Sequence, residues 1–192
     1  MLFLEPYARL VAVVHTVAAG VLLGSATHHL LTCRRYLRGR SPRVALERLY
    51  ALVCASAFAV TFLLGASLYP TYKVRVRASF FDAPDAVAAE VQLREAQART
   101  IGGPPPLRAR GPAAARDLSW VSRLFDVKEH VVAIGLGAAL VLLALSRLAH
   151  PSEDPRLAPL YVGLSLFVCI AAWLGAIVGI VTASYRSVGG LP

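Results

Sequence analysis

The fold class is decided by residues 157–184, LAPLYVGLSLFVCIAAWLGAIVGIVTAS, which contain no charged side chain. A bilayer core about 30 Å thick is crossed by roughly 20 apolar residues in a helix that rises about 1.5 Å per residue. Three more blocks meet this requirement, at about residues 7–32, 50–69 and 125–148. The sequence therefore predicts an all-α protein, an integral membrane four-helix bundle that forms a single domain over residues 1–192.

Composition supports this class and excludes others. Hydrophobic residues make up 57% of the chain and charged residues only 16%. A soluble bundle would need polar helix faces, which the four blocks lack. The net charge of +9 is explained by arginines that flank the helices, so no nucleic acid is expected as a partner. Cys33, Cys54 and Cys169 have no paired spacing, so the sequence predicts neither a disulfide framework nor a zinc site.

The charge of the connections predicts how the chain is oriented. The connection after the first helix has one acid, Glu47, and is otherwise basic, with Arg34, Arg35, Arg38, Arg40, Arg43 and Arg48. Positive residues in short loops stay on the cytoplasmic side of a membrane. The sequence thus predicts a multi-pass protein of the inner (cytoplasmic) membrane of a bacterium. Both termini and a long loop over residues 70–124 would face outward, an N-out, C-out arrangement.

The outer loop has a predicted structure of its own. Pro70 is expected to end the second helix, and residues 72–77 alternate apolar and basic side chains, which indicates an extended segment at the interface. Residues 84–101 are predicted to form a short amphipathic helix, with proline in its first turn and arginines near its end. Residues 102–106 would stop that helix, and residues 107–116 would form a linker.

Small residues predict where the helices approach one another. Gly20 and Gly24 in the first helix, and Gly175 and Gly179 in the last, have the four-residue spacing that brings backbones close. Gly135 and Gly137 in the third helix could do the same. Gly137 would also leave room for a flat ring.

Ionisable groups within a span are costly, so each one is a candidate for function. His15 lies about two turns inside the first helix, and His130 about one turn inside the third. Two neutral imidazoles that face each other across a bundle can hold haem iron axially. We therefore predict one haem b between His15 and His130. Its propionates would pair with the basic residues of the outer loop, Lys73, Arg75 and Arg77. The competing interpretation is that each histidine only hydrogen-bonds a neighbouring helix.

Other polar residues are weaker candidates. His29 follows His15 by 14 residues, a spacing similar to that of di-haem cytochrome b subunits, but Leu143 and Ala144 stand where the third helix would supply matching histidines. His28, His29 and His150 could be interfacial, or could form a loose metal site on the cytoplasmic side.

Lys128, Glu129 and His130 form a compact charged group at the start of the third helix. They are expected to be either ordinary helix-end anchors or a proton-relay or quinone-headgroup site.

The sequence VVHTVAAGVLLG at residues 13–24, the rhythm of residues 48–65 and Lys128 resemble a group of small four-helix membrane proteins. That group includes the membrane-bound bacterial protoporphyrinogen oxidase and the copper-resistance D-type domains. The resemblance implies haem or porphyrin binding through His15 and Lys128. Leu23 replaces the aromatic residue that usually precedes the glycine, and the insertion over 70–124 is foreign to the oxidase.

The sequence therefore predicts a small haem-binding membrane protein or redox-complex subunit that takes part in electron transfer. The alternatives are a non-catalytic structural subunit of a membrane complex and a small transporter for a metal or a proton. Expected partners are the lipid bilayer, other membrane subunits or further copies of the chain, and a quinone.

Overall fold

A computed structural model describes residues 5–39, 44–101 and 118–185. The described residues contain helices and short turns and no β-strand. Five α-helices follow in order: α1 (Ala8–Cys33), α2 (Val44–Tyr72), α3 (Pro84–Ile101), α4 (Ser119–Leu148) and α5 (Ala158–Tyr185). Short 3₁₀ turns at Glu5–Tyr7, Tyr36–Arg38 and Pro155–Leu157 precede α1, follow α1 and precede α5.

Four of these helices, α1, α2, α4 and α5, are long and apolar enough to cross a membrane. The described residues thus confirm the predicted all-helical class and the predicted number of helices of this length. Helices α2 and α4 extend further than predicted. In particular, α2 begins at Val44 and not near residue 50, so Glu47 lies in its first turn and not in a loop.

The four long helices form a ring in which each one packs against two others. Helix α1 packs against α2 and α5, and α4 packs against the same two helices. Helices α1 and α4 are therefore diagonal to each other, with few direct contacts. Residues that face inward from these two helices meet only near the axis of the bundle.

Close packing of small residues holds α4 against its neighbours. A Cβ atom added at Gly135 would lie 2.7 Å from the Ala171 Cβ and 2.9 Å from the Phe58 Cζ, and one added at Gly175 would lie 3.1 Å from a methyl group of Val132. The glycines of α1 behave differently from the prediction. Gly20 and Gly24 are exposed, and an added Cβ would meet nothing within 4 Å.

Pro70 does not end α2, contrary to the prediction. The helix runs through it to Tyr72 and continues as a π-helical segment, Lys73–Phe81, where an extended segment was expected. The Asp82 N–H donates to the Arg77 carbonyl five residues earlier, the spacing of a π-helix. Proline is tolerated in membrane helices when tertiary packing holds the chain on both sides of it.

That packing comes from a second apolar cluster, separate from the main core. It contains buried side chains from the end of α2, the π segment, α3 and α4: Tyr72, Val76, Phe80, Phe81, Val87, Leu118 and Val121. Helix α3 occupies the range 84–101 in which a helix was predicted. The predicted helix stop at 102–106, the linker at 107–116, and Arg40 and Arg43 lie outside the described residues.

Candidate functional site: a buried glutamate at one end of the bundle

Glu47 is the most deeply buried charged group of the described residues, with none of its surface exposed. Its place in the first turn of α2 puts the carboxylate near the positive end of the helix dipole. A buried carboxylate without partners would cost several kcal/mol by order of magnitude. The structure therefore has to surround it with hydrogen-bond donors.

Three side chains from three other parts of the chain contact this carboxylate. His29 of α1 places its Nε2 atom 3.0 Å from Oε1 of Glu47. His150, just after α4, places its Nε2 atom 2.6 Å from Oε2. The hydroxyl of Tyr161 in α5 donates to Oε1. An ionised carboxylate only accepts hydrogen bonds, so the protons of these contacts belong to the imidazoles and the phenol.

A second layer fixes the two imidazoles. The Ser165 hydroxyl lies 2.8 Å from Nδ1 of His29. Nδ1 of His150 lies 2.6 Å from the Ser152 hydroxyl and accepts from the Ser152 backbone N–H at 3.2 Å. Because that backbone group can only donate, Nδ1 of His150 accepts in this contact, which leaves Nε2 to donate to Glu47.

Cys33 and Tyr36 complete the arrangement, which we call the Glu47 cluster: His29, Cys33, Tyr36, Glu47, His150, Tyr161 and Ser165. The Cys33 Sγ atom lies 3.6 Å from both ring nitrogens of His29. The Tyr36 hydroxyl lies 3.3 Å from Nε2 of His150. Arg48 closes one side by donating to the Ser146 carbonyl at 2.9 Å, and it also pairs with the exposed Glu153.

The cluster contains the donor types of a transition-metal site. One ligand atom each from His29, Cys33 and Glu47 lie within 4.8 Å of one another, and all three residues are buried. Tetrahedral zinc with ordinary bond lengths separates nitrogen from oxygen by about 3.3 Å and nitrogen from sulfur by about 3.6 Å. The distances in the cluster are close to these values. The sulfur lies equally far from both ring nitrogens, so the His29 ring or the Cys33 side chain would have to rotate on binding.

The structure shows where the three remaining histidines, which were weaker candidates from the sequence, lie. His29 and His150 meet at Glu47, and His28 is exposed beside Tyr50, with ring centroids 5.7 Å apart. If α4 continued as a helix, His150 would face the side opposite His130. Helix α4 instead ends at Leu148, and Ala149 has φ −152° and ψ 72°, which turns His150 back into the bundle.

Sequence reasoning missed Glu47, Cys33, Tyr36 and Tyr161. Glu47 was assigned to a basic loop, and the cysteines were not expected to contribute to a metal site. One signal was present in the sequence. Glu47 is the only acid among six arginines, and it is followed by a long apolar block, so a first-turn position was open to it.

At the opposite end of the bundle, His15 and Lys128 point toward its axis. A Cβ atom at Gly65 of α2 would lie 3.2 Å from the Cε1 atom of His15. The Lys128 ammonium reaches α5, because a Cβ atom added at Gly179 would lie 3.6 Å from Nζ. The same ammonium lies 4.8 Å from the centre of the Phe125 ring. Glycines on two helices thus make room for two polar side chains.

The structure does not bring His15 and His130 together. His130 is exposed, and its Nδ1 atom is hydrogen-bonded to the Asp126 carbonyl of its own helix at 2.8 Å. Lys128 and His130 are two residues apart and therefore roughly 200° apart around α4. Because Lys128 faces the axis, His130 faces away from it. Glu129 is partly buried among the charges of Asp126, Arg77 and Lys128.

Two of the three predicted propionate partners are engaged elsewhere. Arg75 binds Glu5 through Nε at 2.8 Å and Nη2 at 2.7 Å. Arg77 contacts both carboxylate oxygens of Asp126, at 2.6 and 3.2 Å, and also Asp82. Lys73 is exposed. Arg75 and Arg77 therefore tie the π segment to the N-terminus and to α4.

No protein-family model, curated protein or solved structure matches this chain. The resemblance to membrane-bound protoporphyrinogen oxidase and copper-resistance D-type domains therefore stays a prediction based on residues 13–24 and Lys128.

Proposed function

We propose that this chain is a multi-pass membrane protein that binds a first-row transition-metal ion, best matched by Zn²⁺, in the Glu47 cluster. The observation that supports this is the convergence of imidazole, thiol and carboxylate ligands at a site with no exposed surface. Zinc accepts nitrogen, sulfur and oxygen ligands in this combination.

Charge balance favours a divalent cation there. Glu47 brings one negative charge, and Cys33 would bring a second when it loses its proton to the metal. A divalent ion bound by these two anionic ligands and His29 gives a neutral site. Neutrality matters because a net charge inside an apolar bundle costs several kcal/mol by order of magnitude.

The surrounding residues have the roles expected of a supporting layer. Ser165 holds Nδ1 of His29, which leaves Nε2 as the ligand atom. Metal-binding histidines are commonly held through the second nitrogen in this way. Tyr161 and His150 would orient the Glu47 carboxylate.

The charge of the connections between helices indicates on which side of the membrane the site lies. The arginines around residues 34–48 support a cytoplasmic position for the Glu47 cluster, in the inner membrane of a bacterium and with both termini outside. A site at that end would suit a small metal transporter or a metal-dependent subunit of a membrane complex. These are two of the functions that the sequence leaves open.

Metal content tests the proposal directly. The protein is purified in detergent after growth with zinc, and its metal is measured by mass spectrometry before and after dialysis against a weak chelator. We expect about one zinc per chain. Glu47→Gln and Cys33→Ser should lose it, whereas the matched variants Glu153→Gln, which changes an exposed acid, and Cys54→Ser, which changes a buried cysteine outside the cluster, should keep it.

Cobalt gives a second measurement that is specific for the thiolate. Co²⁺ in the Glu47 cluster should produce a sulfur-to-cobalt charge-transfer band that disappears in Cys33→Ser and persists in Cys54→Ser. A folded protein that binds no zinc and gives no such band would refute the metal site. The cluster would then be a hydrogen-bond network that serves only stability.

Haem b in an electron-transfer role is the second candidate. It is favoured by one observation: the Nδ1 atom of His15 is buried and has no hydrogen-bond partner. Haem bound there would need an axial ligand other than the exposed His130. A reduced-minus-oxidised spectrum of protein expressed with ample haem tests this role, and no Soret band that depends on His15 would reject it.

A further inference from the structure

Three buried polar atoms of the described residues have no hydrogen-bond partner, and all lie in the half of the bundle away from Glu47. They are Nδ1 of His15, Oγ1 of Thr61 and the hydroxyl oxygen of Tyr72. A buried polar group without a partner typically costs about 1–3 kcal/mol. Tyr72 belongs to the second apolar cluster, roughly 16 Å further along α2 than Thr61, so only His15 and Thr61 can share a partner, and each calls for one outside the chain.

Thr61 is the most informative of the three. Threonine in a helix usually donates its hydroxyl to the carbonyl four residues earlier, as Thr16, Thr32 and Thr182 do here at 2.8–2.9 Å. Thr61 makes no such bond, although it is 9% exposed and lies well inside α2. Its hydroxyl is therefore available to a partner beside it. His15 is close by, because its Cε1 atom would lie 3.2 Å from a Cβ atom at Gly65, one turn further along α2.

Lys128 adds a positive charge at the same place. Within the described residues, it forms no salt bridge, and its nearest acid, Glu129, is its neighbour in sequence and points elsewhere on the helix. A cation inside the span without a bound anion is costly. His15 and Lys128 are both partly exposed, so this region also opens to the surface of the bundle.

We propose that His15, Thr61 and Lys128 form a binding site for the carboxylate of a membrane-soluble acid whose apolar body stays in the lipid. One cation and two uncharged hydrogen-bonding groups match a single negative charge with two oxygens. Lys128 lies roughly 12 Å along α4 from Trp120, where the span begins. A carboxylate on a flexible chain can reach that level, whereas the phosphate of a phospholipid stays with its headgroup.

The four long helices all contribute to this site. His15 comes from α1, Thr61 and Gly65 from α2, Lys128 from α4, and Gly179 from α5. Gly65 leaves room for the His15 ring, since a Cβ atom added there would lie only 3.2 Å from Cε1 and would press on the imidazole. At Gly179 an added Cβ would make ordinary contact with the Lys128 ammonium.

Binding of a fluorescent long-chain acid tests the proposal. Purified protein in detergent is titrated with cis-parinaric acid and, separately, with its methyl ester, which has the same body but no charge. We expect saturable binding of the acid and none of the ester. Lys128→Met should raise the Kd about tenfold or more because it removes the charge partner, and His15→Phe should also weaken binding. The control Lys73→Met, which removes an exposed lysine, should leave the Kd unchanged.

Several results would overturn the proposal. Equal binding of acid and ester, or an unchanged Kd in a folded Lys128→Met variant, would show that the carboxylate is not recognised there. Release of a quinone from this site on extraction, or a Soret band that depends on His15, would assign these atoms to another ligand. Circular dichroism of each variant separates loss of binding from loss of folding. The metal content of the Glu47 cluster should not respond to any of these substitutions.

Discussion

Replacing Glu47 by alanine should strongly destabilise the protein even when no metal is present. The substitution removes the acceptor of three buried hydrogen bonds, from His29, His150 and Tyr161. Each donor left without a partner costs about 1–3 kcal/mol, so the low end for three donors gives a loss of about 3 kcal/mol in the free energy of unfolding. Removing a buried charge recovers part of its desolvation cost but does not supply the missing acceptor.

Glu47→Gln removes the negative charge of the side chain and keeps its shape, so it tests the two contributions separately. The glutamine carbonyl can still accept from His29 and Tyr161, but its amide then faces Nε2 of His150. That imidazole cannot easily shift its proton to Nδ1, because the Ser152 backbone N–H already donates there at 3.2 Å. We therefore expect an intermediate loss of about 1–2 kcal/mol for this variant, corresponding to one mismatched pair of donors.

The measurement is reversible unfolding in mixed detergent micelles with a chelator present, so that the hydrogen bonds are tested without metal. Glu153→Ala is the matched control, because Glu153 is 71% exposed and pairs only loosely with Arg48 at 3.8 Å. That control should stay within about 0.5 kcal/mol of the wild type. If Glu47→Ala were as stable as Glu153→Ala, the three contacts would not contribute to stability and the reasoning would be wrong.

Three further predictions concern the bundle and the cluster. Gly135→Ala should lower the free energy of unfolding by about 1–3 kcal/mol, since its Cβ would lie 2.7 Å from another Cβ atom. The control Gly137→Ala meets nothing within 4 Å, so it should be neutral or slightly stabilising in the same unfolding assay. A double-mutant cycle on Arg77→Ala and Asp126→Ala should give a coupling free energy of about 1 kcal/mol, which decreases with added salt. A coupling free energy of zero would contradict the bidentate pair. Tyr161→Phe should lower zinc affinity by about 10–100-fold without abolishing binding, and an unchanged affinity in a competition titration would remove Tyr161 from the supporting layer.

Part of this structure could be predicted without coordinates because it follows from local physics. The four apolar blocks and the helix at 84–101 depend on side chains within a few turns of one another. Helical periodicity predicts the direction of a side chain only as far as the helix continues. His150 was placed by continuing α4, but the chain leaves the helix at Leu148 and turns it inward.

Pro70 shows that local rules can also predict the end of a helix where the helix in fact continues. A proline lacks the backbone donor and crowds the preceding turn, so by local rules it should end a helix. Packing of Tyr72, Phe80 and Phe81 against α3 and α4 instead holds the chain helical beyond it. Local propensity is worth at most a few kcal/mol, and an apolar cluster of this size outweighs it.

The sequence by itself determined that the chain is helical, that four segments can cross a membrane, and that polar groups within them are few. The tertiary structure alone decided which of those groups meet. Glu47 is separated along the chain by 18 residues from His29, 103 from His150 and 114 from Tyr161. No periodicity links positions so far apart. Their meeting depends on which helices are neighbours in the bundle and how far each is rotated about its axis, and both are fixed by packing between helices.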